Sequence, residues 1–168
     1  MSFTTEDYGT RIERKYCAHY TNVNLTTPKW ERLGKDLEEF NIEMNAQSED
    51  RRNILGENET IVSGYAPSVS VNPYYARQGT DLFDFLQEAV DDRKILDDLK
   101  IEVLEVHVWD HTTGENPTYT AYKETAIVVP VSKGGDTTGY QIPFELHLQG
   151  DPVKGQFAPG TKTFTPAS

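Results

Sequence analysis

The sequence predicts a mainly β fold, an antiparallel β-sandwich or barrel with one flanking α-helix over about residues 80–92. Three observations favour this class: apolar and polar residues alternate with period two in several segments, one segment has helical spacing, and strands do not alternate with helices. The chain has 168 residues, of which 11% are aromatic. This length and composition are typical of a domain with a packed core and not of a disordered tail.

The first predicted strand covers residues 37–45, where alternation with period two indicates a half-buried strand. Its apolar face and its polar face consist, respectively, of Phe40, Ile42 and Met44, and of Glu39, Asn41 and Glu43. Residues 46–60 are polar and show no sustained period, so they are predicted to form a projecting loop. A β-rich segment follows at 61–71 and ends at Asn72-Pro73.

The helix prediction rests on apolar residues whose spacing places them on one helical face, namely Leu82, Phe83, Leu86, Ala89 and Val90. Thr80 can cap the amino terminus of this helix. Asp81 and Asp84 suit the positive end of the helix dipole.

Strands return after residue 100. They are predicted at 101–109, at 119–131 and at 140–149, and the last of these has the clearest alternation in the chain. A final short strand is expected near 153–158 or 161–165.

Charge and cysteine content exclude several classes of function. The chain has 16 Lys and Arg against 27 Asp and Glu, a formal net charge of −11, which disfavours binding of nucleic acid through its phosphates. The single cysteine, Cys17, has no intrachain partner for a disulfide, as expected of a protein made in a reducing cytosol. No apolar run is long enough for a membrane span, and the amino terminus lacks the pattern of a signal peptide, so we expect no export and no membrane binding.

Candidates for catalysis or metal binding are few. Cys17 and His19 would share one face of a strand, but a Cys-His enzyme brings these groups together from distant parts of the chain, and packing is the simpler interpretation. His107 and His111 have the spacing of zinc ligands on a helix, yet they lie in a predicted strand and turn. The glycine-rich segment 134–139 lacks the Lys of a phosphate loop and is predicted to be a tight turn. We therefore predict no catalytic, cofactor-binding or metal-binding residues, and a protein that is not an enzyme.

Five stretches carry a resemblance to a known family: TPKWERLGKDLEEFNIEMN at 27–45, RRNILGE at 51–57, NPYYARQGTDLFDFLQE at 72–88, LEVHVW at 104–109 and SKGGDTTGYQIPFELHLQGDPVKGQF at 132–157. They resemble the major tail protein, or tail tube protein, of long-tailed phages and prophages of Gram-positive bacteria. The likeness extends over about residues 12–165.

The resemblance implies a structural virion protein. Such subunits form hexameric rings that stack into a tube around the tape measure protein, meet tail-tip and terminator proteins, and conduct genomic DNA during ejection. The protein would be made and assembled in the cytoplasm of a bacterial host and would end in the virion. The chain would then divide into an amino-terminal arm at 1–12, a single tail tube domain at 13–165 and a short tail at 166–168.

Two sets of residues follow as expectations from this family. The residues expected to face the lumen are Glu39, Asn41, Glu43, Glu145, His147 and Gln149, although one of these two strand faces could instead be the outer surface. Contacts between rings are expected from the arm and the loop 46–60, in particular from Glu49, Asp50, Arg51, Arg52 and Asn53.

Two alternatives remain open on the sequence. One is the inner tube protein of a contractile tail or of a phage-derived injection machine. A more distant one is a carbohydrate-binding or adhesion β-sandwich that uses surface aromatic residues, namely Trp30, Tyr74, Tyr75 and Trp109.

Overall fold

The computed structural model describes residues 9–35 and 37–168. Its strands are β1 (Cys17–Asn22), β2 (Glu31–Leu33), β3 (Gln47–Arg52), β4 (Asn58–Gly64), β5 (Ser68–Val71), β6 (Lys100–His111), β7 (Tyr119–Pro130), β8 (Gly134–Asp136), β9 (Gly139–Gln141), β10 (Phe144–Ala158) and β11 (Thr163–Pro166). The α-helix of the described ranges is α1 (Asp81–Asp91), and short 3-10 turns lie at Arg14–Tyr16 and Leu96–Leu99.

Within the described ranges, seven strands form one antiparallel sheet in the order β11-β10-β7-β6-β1-β2, with β5 also paired to β10. The long strand β10 pairs with β7 along one edge, and with β5 and then β11 along the other. The register shifts between Gln149 and Val153 on β10, and between His107 and His111 on β6. Because such irregularities bend strands and increase their twist, the sheet curls. Two hairpins, β3-β4 and β8-β9, form separate two-stranded sheets.

The larger core lies between α1 and one face of the sheet. Leu82 and Leu86 of the helix are fully buried together with Ile101 of β6, Val128 of β7 and Phe144 of β10. The side chains of Tyr74, Ile142 and Phe40, which come from connecting segments, complete this core.

A smaller core lies on the opposite face of the same sheet. Leu104 and Val106 are buried there, whereas Val103, one residue earlier, belongs to the larger core, because successive side chains of a strand point to opposite faces. Phe157 is completely buried, and its ring lies 4.7 Å from that of Tyr20. Trp30 covers this face and is only 3% exposed.

The helix begins where the sequence predicts, and its first turn is capped by Thr80, whose hydroxyl accepts a hydrogen bond from the Phe83 amide at 3.4 Å. We expect Thr80→Ala to lower the free energy of unfolding by about 1 kcal/mol, because an amide of the first turn loses its partner. Urea denaturation followed by circular dichroism measures this change. Thr80→Ser retains a capping hydroxyl and is the matched control. Equal stability of the Ala variant and the wild type would contradict the assignment of the cap.

Several predictions from the sequence are confirmed. The fold is mainly β and antiparallel, with a flanking helix close to 80–92. The strands predicted at 101–109 and 119–131 correspond to β6 and β7. Both options for the last strand are realised, because β10 continues through 153–158 and β11 follows it. The glycine-rich segment 134–139 forms the β8-β9 hairpin, as expected of a tight turn.

The strand predicted at 37–45 is wrong. This segment makes only an isolated bridge, between Glu43 and Ser68. Phe40 is buried as its position in the pattern predicts, but Met44 is 51% exposed. The carbonyl oxygen of Phe40 accepts a hydrogen bond from the Arg14 guanidinium at 2.9 Å, so a side chain takes the place of a neighbouring strand.

The prediction of a loop at 46–60 is also wrong, because most of these residues form the antiparallel hairpin β3-β4. β3 is polar on both faces, and the two apolar residues of β4, Ile61 and Val62, are adjacent, so neither strand shows the alternation that identifies a half-buried strand. Of the predicted amino-terminal arm 1–12, residues 1–8 lie outside the described residues. Residues 9–12 are exposed and have no regular secondary structure.

Candidate functional site

The β3-β4 hairpin is a largely exposed element of the described chain. It contributes no residue to either core, and every residue of β3 is exposed. Its two strands pair with each other only, in the sheet topology of the described residues. A two-stranded hairpin is marginally stable by itself in water, so this element needs support from its own cross-strand contacts or from another molecule.

Cross-strand contacts occupy most of the residues that the sequence assigned to contacts between rings. The Thr60 hydroxyl donates to Asp50 at 2.7 Å, and the Arg51 guanidinium lies 3.9 Å from the carboxylate of Glu59. Arg52 donates through Nε to the carbonyl oxygen of Gly56 at 3.0 Å. Glu49 is exposed. The side chains of Asp50, Arg51 and Arg52 therefore stabilise the hairpin itself.

Asn53 organises the turn at the tip of the hairpin. Its Oδ1 accepts hydrogen bonds from the amides of Leu55 at 2.9 Å and Glu57 at 3.0 Å. Its Nδ2 donates to Glu59 at 2.8 Å. Gly56 adopts a φ of 82°, a backbone conformation that favours glycine. The tip is thus a shaped turn with defined hydrogen bonds.

Two aliphatic side chains stand at this tip. Ile54 has a relative exposure of 103% and Leu55 of 77%. Sequence reasoning missed both residues, because it read the segment only by its charges. An Ile-Leu pair directly before a glycine, in an otherwise polar stretch, is the signal that could have identified them.

An apolar cleft of about 520 Å³ lies near the described start of the chain. Three of its lining side chains are large and exposed, with Ile12 at 51%, Tyr16 at 41% and Trp109 at 45%. The ring of Trp109 stacks on His107 with 4.5 Å between the ring centroids. We call the three exposed residues Ile12, Tyr16 and Trp109 the Trp109 patch.

Three of the six residues predicted to face a lumen form a row on the face of β10 that points away from the larger core. Glu145, His147 and Gln149 alternate with the buried residues Phe144 and Leu146 and point away from the larger core. His147 Nε2 lies 3.4 Å from the carboxylate of Glu145. We call this row the open polar face.

Glu43 joins the open polar face through strand pairing. Its bridge partner Ser68 pairs in turn with His147, so the three residues lie side by side. Glu39 and Asn41 are exposed, and the Asn41 amide donates to the Glu39 carboxylate, but they are not paired with β10. The structure thus brings four of the six predicted residues together.

A cluster of potential metal ligands lies on the face of the sheet opposite to the open polar face, outside the larger core. Cys17 and His19 of β1 stand directly opposite His107 and Glu105 of β6 in the strand register. His19 Nε2 lies 3.6 Å, and His107 Nε2 lies 2.7 Å, from oxygens of the Glu105 carboxylate. The neighbouring imidazoles of His19 and His107 lower the pKa of Glu105 to about 2, against the opposing effect of burial. Burial raises the pKa of the Cys17 thiol.

Two of the aromatic residues considered for carbohydrate binding are not on the surface. Trp30 is 3% exposed and Tyr74 is 8% exposed, because both pack into the cores. A binding platform of the four residues is therefore excluded, and Tyr75 and Trp109 are the accessible members.

No protein-family model matches the sequence, and no curated protein matches it. Within residues 9–35 and 37–168, no helix is long and apolar enough to cross a membrane. The surfaces described above are therefore the main guide to function.

Proposed function

We propose that this protein is a structural subunit that polymerises with copies of itself into the tail tube of a long-tailed phage. Six subunits form a ring, and stacked rings surround the tape measure protein and later conduct genomic DNA. The subunit is made in the cytoplasm of the bacterial host and ends in the virion. Its role is mechanical and not enzymatic.

The observation that carries this proposal is the β3-β4 hairpin with its bare apolar tip. Burying the side chains of Ile54 and Leu55 against a partner contributes about 1.5–3 kcal/mol each. In the isolated chain both side chains stay in water. A shaped turn that holds two aliphatic groups away from its own domain is suited to a contact with another molecule.

A second copy of this chain offers a surface for the tip. The Trp109 patch is apolar and exposed and belongs to a part of the chain separate from the hairpin. A contact between two different patches of identical subunits is heterologous, so a growing assembly keeps a free tip at one end and a free patch at the other. Repetition of that contact builds an extended assembly, as a stack of rings requires.

The open polar face is our candidate for the wall of the bore. It carries Glu43 and Glu145 on a chain with a net charge of −11. A basic wall would bind the DNA backbone and release its counterions, whereas an anionic and polar wall does not hold the polyanion. The tape measure protein and then the DNA can therefore pass without specific contacts.

Deletion of residues 48–56 tests the contribution of the hairpin. This variant loses β3 and the tip but keeps every residue of the two cores. We expect it to remain a folded monomer that no longer polymerises. Circular dichroism measures the fold, and light scattering after size-exclusion chromatography measures the mass. Tubes formed by the deletion variant would contradict the proposed contact.

A further inference from the structure

The cluster on β1 and β6 has the composition of a transition-metal site. Cys17 offers a thiolate sulfur, His19 an imidazole nitrogen and Glu105 a carboxylate oxygen, and these three atoms lie within 4.8 Å of one another. Zinc is bound in proteins by these three ligand types. The sequence suggests Cys17 and His19 as neighbours on one strand face, but it gives no sign of Glu105. Only the pairing of β1 with β6 brings Glu105 beside His19.

We propose that Cys17, His19 and Glu105 bind one zinc-class divalent metal ion, with the fourth position open to solvent. Metal–ligand bonds of about 2.1 Å in a tetrahedron separate the ligand atoms by about 3.4 Å. His19 Nε2 and Glu105 Oε2 already stand 3.6 Å apart. Small rotations of side chains on two paired strands bring the sulfur to the same ion.

Surrounding groups support a cation at this position. Glu105 and Glu124 both line a cleft of about 480 Å³ that leads to Cys17 and His19. Glu105 lies on β6 and Glu124 on the neighbouring strand β7, so carboxyl groups from two strands line the same cleft. The Arg14 guanidinium is also in this cleft, but it is engaged by the carbonyl oxygens of Cys17 and Phe40.

His107 has a supporting role. It contacts the Glu105 oxygen that does not face His19, so it orients the carboxylate. Mutation of a residue that hydrogen-bonds a metal ligand without binding the metal commonly lowers metal affinity 10- to 100-fold. Binding of the ion displaces the thiol proton of Cys17 to solvent, and His19 coordinates as the neutral imidazole.

Titration of the chelator-treated, reduced protein with Co²⁺ tests the site. Cobalt replaces zinc and gives a near-ultraviolet charge-transfer band only when a thiolate is bound to it. We expect one Co²⁺ per chain, a thiolate band that Zn²⁺ abolishes, and loss of the band in Cys17→Ser and Glu105→Gln. His107→Gln should bind about 10- to 100-fold more weakly.

The chain provides a matched control in His147, which also contacts a glutamate two residues away on a strand. The control variant His147→Gln should bind Co²⁺ like the wild type. Circular dichroism verifies that each variant is folded. Cys17→Ser replaces only the side-chain sulfur with oxygen. Cobalt binding without a thiolate band, an unchanged band in Cys17→Ser, or no stoichiometric binding would overturn the proposal. None of these outcomes depends on whether the protein forms tubes.

Discussion

Replacing Ile54 and Leu55 with serine is expected to leave the subunit folded and to stop it polymerising. Both side chains are exposed in the isolated chain, at 103% and 77%, so their loss removes no packing from the folded monomer. The turn depends on Asn53 and Gly56, which remain. The stability of the monomer should therefore change by no more than about 0.5 kcal/mol.

The effect on assembly should be large because each contact between subunits loses two buried aliphatic groups. At about 1.5–3 kcal/mol for each group, the association constant falls by about 10²- to 10⁴-fold. Sedimentation velocity over a range of protein concentrations measures this shift.

A second Ile-Leu pair in the chain provides a matched control. Ile95 and Leu96 are also adjacent and exposed, at 67% and 78%, but they lie at the start of a 3-10 turn, Leu96–Leu99, far along the chain from the hairpin. The double serine variant at 95 and 96 should polymerise like the wild type. Equal loss of assembly in both double variants would contradict a specific role of the hairpin tip.

Phe144→Ala and Phe157→Ala are each expected to lower the free energy of unfolding by about 3–5 kcal/mol. Phe144 is 1% exposed in the larger core, where its ring packs edge-on against Tyr74 at 5.4 Å. Phe157 is 0% exposed in the smaller core on the opposite face. Each truncation leaves a cavity, and the total stability of a domain is only about 5–15 kcal/mol.

Chemical denaturation of the two variants measures whether both faces of the sheet carry a core. Val129→Ala is a suitable control, because Val129 lies on β7 with 38% exposure. Its truncation should lower the free energy of unfolding by less than the truncation of either phenylalanine. A small loss in Phe157→Ala, similar to that of the control, would mean that the second face contributes little to folding.

The parts of the fold that the sequence predicts well are those where one face is buried. Leu82, Leu86 and Ala89 recur with helical spacing because α1 buries one face, and Thr80 stands at the capping position. Phe144 and Leu146 alternate with Glu145 and His147 for the equivalent reason in β10.

The alternation of apolar and polar residues fails to predict strands where burial of one face and strand pairing do not coincide. In β1 the residues from Ala18 to Asn22 are all buried, so alternation disappears although the strand is central to the sheet. In β3 all residues are exposed, so alternation is again absent. At 37–45 the alternation exists, but the segment is extended chain with one isolated bridge.

The candidate sites show the same limit. The charged residues at 49–53 were predicted to make contacts, yet several of them pair within the hairpin, and the free groups are Ile54 and Leu55. The row from Glu145 to Gln149 could be predicted because it follows one strand. The approach of Glu105 to Cys17 and His19 could not, because it depends on the register of two strands that are distant in sequence.

Electron microscopy of negatively stained, concentrated protein tests the central proposal most directly. After prolonged incubation we expect the wild-type chain to form hollow tubes of uniform width with a regular axial repeat and six-fold rings in end views. The Ile54 and Leu55 double serine variant, prepared in parallel, should show single subunits or isolated rings. A wild-type sample that stays monomeric at the highest attainable concentration would contradict the proposal of a self-assembling tube subunit.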